Sequence, residues 1–231
     1  VRCLFPARDH ELGERPRMRH GGTLGSSAMT THERELVDPV DLCTPDGSRL
    51  NPDARGWSRH TLHRANLLSE HGRNKRWDYW AILAGDLAIS AVYADVDHFG
   101  LADVWWADLN TGRSGGAGTI VAAADVSLPD RCSTQPLELT RDDFAIEITD
   151  DSAGTHIVGR WRERDGRPGA LDIVVALPPG HESLNVVIPW DDTTFNFTSK
   201  HQARPATGTL VVGDQRREAG GAAGHAWGVL D

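Results

Sequence analysis

Lysine is nearly missing from this chain: of 24 basic residues only two, Lys75 and Lys200, are lysines. Cysteine is scarce and odd in number. Cys3, Cys43 and Cys132 are widely spaced and form no C-x-x-C pair, which excludes a disulfide scaffold and a cysteine zinc site and fits a reducing cytosol. No apolar run approaches the roughly 18 residues of a bilayer span, so no membrane span is expected. The formal net charge of −9, without a clustered basic face, argues against nucleic-acid binding.

The common catalytic signatures are missing too. GGAGTI and GGAAGHAWG lack the spacing of a phosphate loop, and neither G-x-S-x-G nor H-E-x-x-H occurs. His60 and His63 form an H-x-x-H without a third ligand, so no metal and no cofactor is expected. Asn196-Phe-Thr matches a glycosylation acceptor by letter, but no secretion signal accompanies it. The expected location is therefore cytoplasmic.

What is present is a core of ordinary size, with 39% hydrophobic and 25% charged residues, and eight tryptophans beside two tyrosines. The bias toward Arg, Ala and Gly fits a GC-rich bacterial coding sequence. Residues 1–28 differ from the rest. They carry five Arg against three acids, hold no apolar core of a signal peptide and show no periodicity. MTTHEREL, from Met29, reads as a natural start. Residues 1–28 are expected to be an upstream extension or a disordered tail, a short interaction arm being the alternative, and 29–231 the folded domain.

From Trp77 onward, short apolar runs alternate with Gly, Asp, Asn and Pro turn signals every 8 to 12 residues or so, the pattern of an all-β sandwich or barrel. Phe144, Ile146 and Ile148 share one face of a strand while Asp143, Glu147 and Thr149 share the other. KRWDYWAI is apolar on both faces, as in a middle strand or a barrel wall. Residues 41–57 read as loops and turns, and 58–68 as a possible short helix. TTFNFTS ends as a strand at Lys-His-Gln, and TGTLVVGD forms another.

Three clusters carry chemistry. Trp77-Asp78-Tyr79-Trp80 reads first as aromatic packing around a carboxylate that needs a partner, and otherwise as a ligand wall. Tyr93, Asp95 and Asp97 are placed on one strand face, where two carboxylates about 7 Å apart raise one pKa; a turn-forming Asp at a solvated strand end is the plainer reading. Trp190-Asp191-Asp192 leads to Phe195, Phe197 and Ser199 on one face and Thr194, Asn196, Thr198 and Lys200 on the other. That polar row suits a cavity lining or a solvent face.

LNPDARGWSRHTLHRANL, KRWDYWAI, ADVDHFGLADV, NVVIPW, FNFTSKHQARPATG and HAWGVLD, in this order over residues 41–231, resemble domain-of-unknown-function family 2804, a bacterial family of uncharacterised proteins. The family is distantly similar to the lipocalin-like group of carotenoid hydratases and tocopherol cyclases. That resemblance implies an antiparallel lipocalin-like barrel or sandwich and an isoprenoid-type ligand, and assigns no catalytic residue. It also implies more sheet after HAWGVLD, so the C-terminal part of the family is expected to be missing.

Two functions follow as expectations. One is a lipocalin-like binder of an apolar small molecule, lined by Trp77, Tyr79, Trp80, Tyr93, Trp105, Trp190 and Lys200. The alternative is a hydratase- or cyclase-type enzyme in which Asp78 or Asp97, its pKa raised in an apolar pocket, protonates an alkene, with aromatic faces stabilising the cation. The oligomeric state is left open.

Overall fold

The computed structural model describes residues 33–67 and 74–231. The N-terminal 1–28 lie outside the described residues. Every long element is a strand, as the turn spacing leads one to expect; among the described residues only three short 3-10 turns interrupt them.

Three two-residue strands come first: β1 (Val40–Asp41), β2 (Trp57–Ser58) and β3 (His63–Arg64). They correct the expected helix over 58–68, since the backbone of 58–67 instead makes strand bridges to neighbouring segments. An antiparallel meander follows, formed by β4 (Arg76–Ala84), β5 (Leu87–Asp95), β6 (Phe99–Asp108) and β7 (Arg113–Ala122). A second meander holds β8 (Leu137–Arg141), β9 (Phe144–Asp150), β10 (Gly154–Arg162) and β11 (Pro168–Ala176). The chain ends with β12 (Leu184–Pro189), β13 (Phe195–Val212), β14 (Gln215–Ala219) and β15 (Trp227–Leu230).

The main sheet runs β7-β6-β5-β4-β15-β13-β11-β10-β9-β8 and curls into a barrel open along one seam. β15, from the HAWGVLD segment, is paired with β4 on one side and β13 on the other. At the seam, Glu163, just past β10, reaches β7. Its carboxylate accepts the indole N–H of Trp106 (2.8 Å), that of Trp161 (2.9 Å) and the amide of Gly116 (3.1 Å). A Cβ on neighbouring Gly115 would stand 2.4 Å from that carboxylate, so the glycine run GGAG is what lets the two halves approach. It is also why β7 escapes sequence reading: glycines carry no alternation.

A second departure is β13. Lys-His-Gln does not end a strand; β13 runs on to Val212, 18 residues in all. Phe195, Phe197 and Ser199 point inward up to a bulge between His201 and Arg204, where Ala203 takes φ +53°. Past it, Arg204, Ala206, Leu210 and Val212 are the buried residues, so the bulge flips the inward set from odd to even positions.

The barrel interior is filled, not hollow. Trp80, Ile82, Tyr93, Trp106, Trp161 and Ile173 belong to one buried cluster inside it. A smaller cluster, including Leu42, Leu50, Val187, Phe195 and Phe197, packs the early loops against β12 and the start of β13. Between the two lies a cavity.

Candidate functional site

The cavity has a volume of about 80 Å³ and is walled by β4, the end of β9, the 128–135 segment, β13 and the last residues of β15. Alternation explains what enters it. Arg76, Asp78, Trp80 and Ile82 share the inward face of β4; deeper in the barrel Trp80 and Ile82 are in the core, while nearer its end Asp78 meets the cavity.

Asp78 is half-buried, yet its Oδ1 is enclosed and has no hydrogen-bond partner among the described residues. Burial, with the nearby charge of Asp150, pushes its carboxyl up to about 7, and Arg204 opposes this. Arg204 is buried behind the cavity. Its guanidinium donates to the carbonyls of Ala176 and Val175, both at 2.9 Å, and stacks over the Trp80 ring at 5.1 Å. With the Thr155 hydroxyl at 3.3 Å, three of its five N–H groups are engaged, and among the described residues none forms an ion pair with Asp78.

His63 is a second buried polar residue in the wall. One nitrogen, Nε2, lies 3.1 Å from the Ala54 carbonyl, which only accepts, so Nε2 carries the proton. The other, Nδ1, is enclosed without a partner among the described residues, and burial lowers the ring's pKa. Ser199 adds a hydroxyl. Asn185 donates to the Ser58 carbonyl at 3.1 Å, so its Oδ1 accepts the Ser199 hydroxyl at 2.6 Å. The Nε2 of His201, 3.2 Å from Ser199 Oγ, is then the donor, and its Nδ1 accepts from His181 Nε2 at 3.2 Å. Burial, followed by His181 and Arg204, lowers His201 to about 4, so this chain of side chains is neutral near pH 7.

The structure sorts the residues singled out by sequence. Trp77 and Asp78 line the cavity. Trp80 and Tyr93 lie in the barrel core, Tyr93 accepting the Ser127 amide at 3.1 Å. Tyr79 and Trp105 point outward from the barrel, and Trp190 is exposed. Lys200 sits near the cavity mouth, its ammonium 2.8 Å from Asp231. Tyr93, Asp95 and Asp97 do not share a face: Asp97 stands in the β5–β6 turn at φ +72°, its amide donating to Asp95 Oδ1 at 2.8 Å. Among the described residues no group of three or more His, Cys, Asp or Glu comes together to hold a metal.

Sequence reasoning missed His63 as a cavity wall, Asp150, Arg204 and the Ser199–His201–His181 chain. Only the last had a local signal, a Ser and a His two apart on one strand. A wider cleft of about 680 Å³ follows the seam past Trp105 and Glu163, and it contains none of the cavity's unpartnered groups.

A family model described as "Domain of unknown function (DUF2804)" matches residues 33–231. No curated protein and no solved structure matches the chain.

Proposed function

Since the chain belongs to the DUF2804 family, whose description assigns no activity, we propose from its own cavity that it binds an apolar small molecule of the lipid or isoprenoid class. The observation that carries this reading is Asp78: a carboxyl facing an enclosed site, with one oxygen unpartnered and its pKa pushed up to about 7. Apolar walls from Leu128, Leu137, Phe197 and Leu230 surround it. A site of apolar walls with a few placed polar groups is the usual form of a small-molecule pocket.

The volume narrows the ligand. At roughly 10–15 Å³ per water centre, a cavity of about 80 Å³ admits a handful of waters, or the end of a longer molecule. A lipid- or isoprenoid-type ligand therefore places one end beside Asp78 and leaves the rest at the mouth, near Lys200 and Asp231. The barrel is not a lipocalin calyx, because its interior is filled by side chains.

A second reading, acid catalysis of the hydratase or cyclase kind, draws on the same carboxyl. The Asp78 proton transfers to an alkene carbon as the C=C pair forms the new C–H bond. Water or an internal hydroxyl then attacks the cation, and the released proton returns to Asp78. Trp80 is not free to stabilise that cation, since Arg204 covers its ring; Trp77 and Phe197 are the aromatic side chains left at the site.

Asp78→Asn separates the two readings. Titration of tryptophan fluorescence with fatty acids, prenols and quinones reads binding, and product analysis on the prenols reads turnover. A binder keeps its affinity in the variant; an enzyme keeps binding and loses turnover. No quenching by any compound sinks both.

A further inference from the structure

We propose that the outward face of β15, β4, β5, β6 and β7 is where a second copy of this chain docks. Register places these five strands side by side, and their outward positions follow from which residues are buried inside. Asp103 is the one Asp, Glu, Lys, Arg or His among those positions, and burial raises its pKa.

The opposite half of the barrel is the internal comparison. There the outward positions include Glu138, Glu147, His156, Arg160 and Asp172, with His156 and Asp172 paired at 2.8 Å. One half of the same barrel is dressed for water and the other is not. Large uncharged patches of this kind mark interaction sites.

The relief of the face says what fits it. Along β5 the outward residues are small: Ala88, Ser90, Val92 and Ala94. The strand on either side is bulky. On β4, Tyr79 is 36% exposed and Leu83 51%, and on β6 Trp105 is 43% exposed. Trp227, beside Leu83 in register, extends the β4 ridge. Two ridges flanking a trough match a copy of themselves: a twofold axis lays a ridge of one copy in the trough of the other, as two sheets pack about 10 Å apart.

Size and charge point to the same occupant. Four strands roughly 30 Å long and the four-residue β15, each about 4.8 Å wide, project some 600 Å², near the ~800 Å² of accessible area each partner gives to a stable interface. Lysine and arginine are missing from the outward positions of these strands, and Arg162, Arg164 and Arg167 only border the face, in the cleft beside Trp105, so its centre lacks the cations that hold a protein to lipid headgroups. Elsewhere copies with a net charge of −9 repel each other; this uncharged face is where they can meet.

Light scattering on the full chain at micromolar concentration tests the proposal. A dimer is expected. Trp105→Glu and Leu83→Lys, both at exposed positions outside the core, should each weaken association about tenfold or more, with unchanged circular dichroism. Val158→Glu, on the polar half, should leave the dimer intact. A monomeric wild-type chain, free or bound to phosphatidylcholine vesicles, overturns the proposal. So does a dimer that survives both ridge substitutions or is lost in Val158→Glu.

Discussion

The carboxylate of Glu163 accepts the indole N–H of Trp106 at 2.8 Å, joining the second half of the barrel to the first where no strand ladder does. With the Trp161 indole and the part-buried Gly116 amide it takes three donors, so removing it strands two buried indole N–H groups. Glu163→Ala is expected to destabilise the fold by about 3 kcal/mol or more, and Glu163→Gln, which keeps one acceptor oxygen, by about 1–2 kcal/mol. Urea unfolding checks both, and equal midpoints for wild type and Glu163→Ala would remove the latch role.

Asp78 sets an unusual pH dependence. A carboxyl held near 7 in the fold and near 3.8 when unfolded binds more protons in the folded state between those values. Stability therefore falls as pH rises from about 4 to 7 and stays low above, by up to about 4 kcal/mol. Asp78→Asn should flatten that limb and make the protein more stable than wild type at pH 8. Thermal midpoints across pH 4–8 measure it.

His201 slopes the other way. Its ring, lowered to about 4 from 6.5, resists protonation in the fold, so stability is lost as pH falls through that window. For a half-buried ring the effect is at most about 2 kcal/mol. His201→Gln should be less acid-sensitive than wild type between pH 6 and 4. An unchanged acid limb in urea titrations would place that sensitivity elsewhere.

Asp97 should matter little for binding. It sits in a left-handed turn that glycine tolerates better, away from the cavity lining. Asp97→Gly is expected to change stability by within about 1 kcal/mol and to leave fluorescence titrations as in wild type, whereas a lost response would return Asp97 to the site.

Much of the fold was legible because strand alternation and turn residues are local. KRWDYWAI read as apolar on both faces, and it is: one face enters the core with Trp80, the other carries Tyr79 outward, with Trp77 at the rim of the cavity. Asp78 was legible as a carboxyl in need of a partner. What failed was whatever lacks a side-chain pattern, such as glycine-rich β7, or changes phase within a strand, as β13 does at Ala203. The expected helix over 58–68 failed for a related reason: two-residue strands are too short to alternate.

By itself the sequence determined the all-β class, most strand positions and the aromatic segment that becomes the wall of the site, since each depends on neighbours along the chain. Only the tertiary structure decided that Trp80 and Tyr93 fill the core while Asp78 faces a cavity, and that Arg204 lies behind it. Those placements come from strands far apart in sequence meeting across the barrel. A bulge one residue further along would have turned Arg204 outward and left Asp78 in a different field.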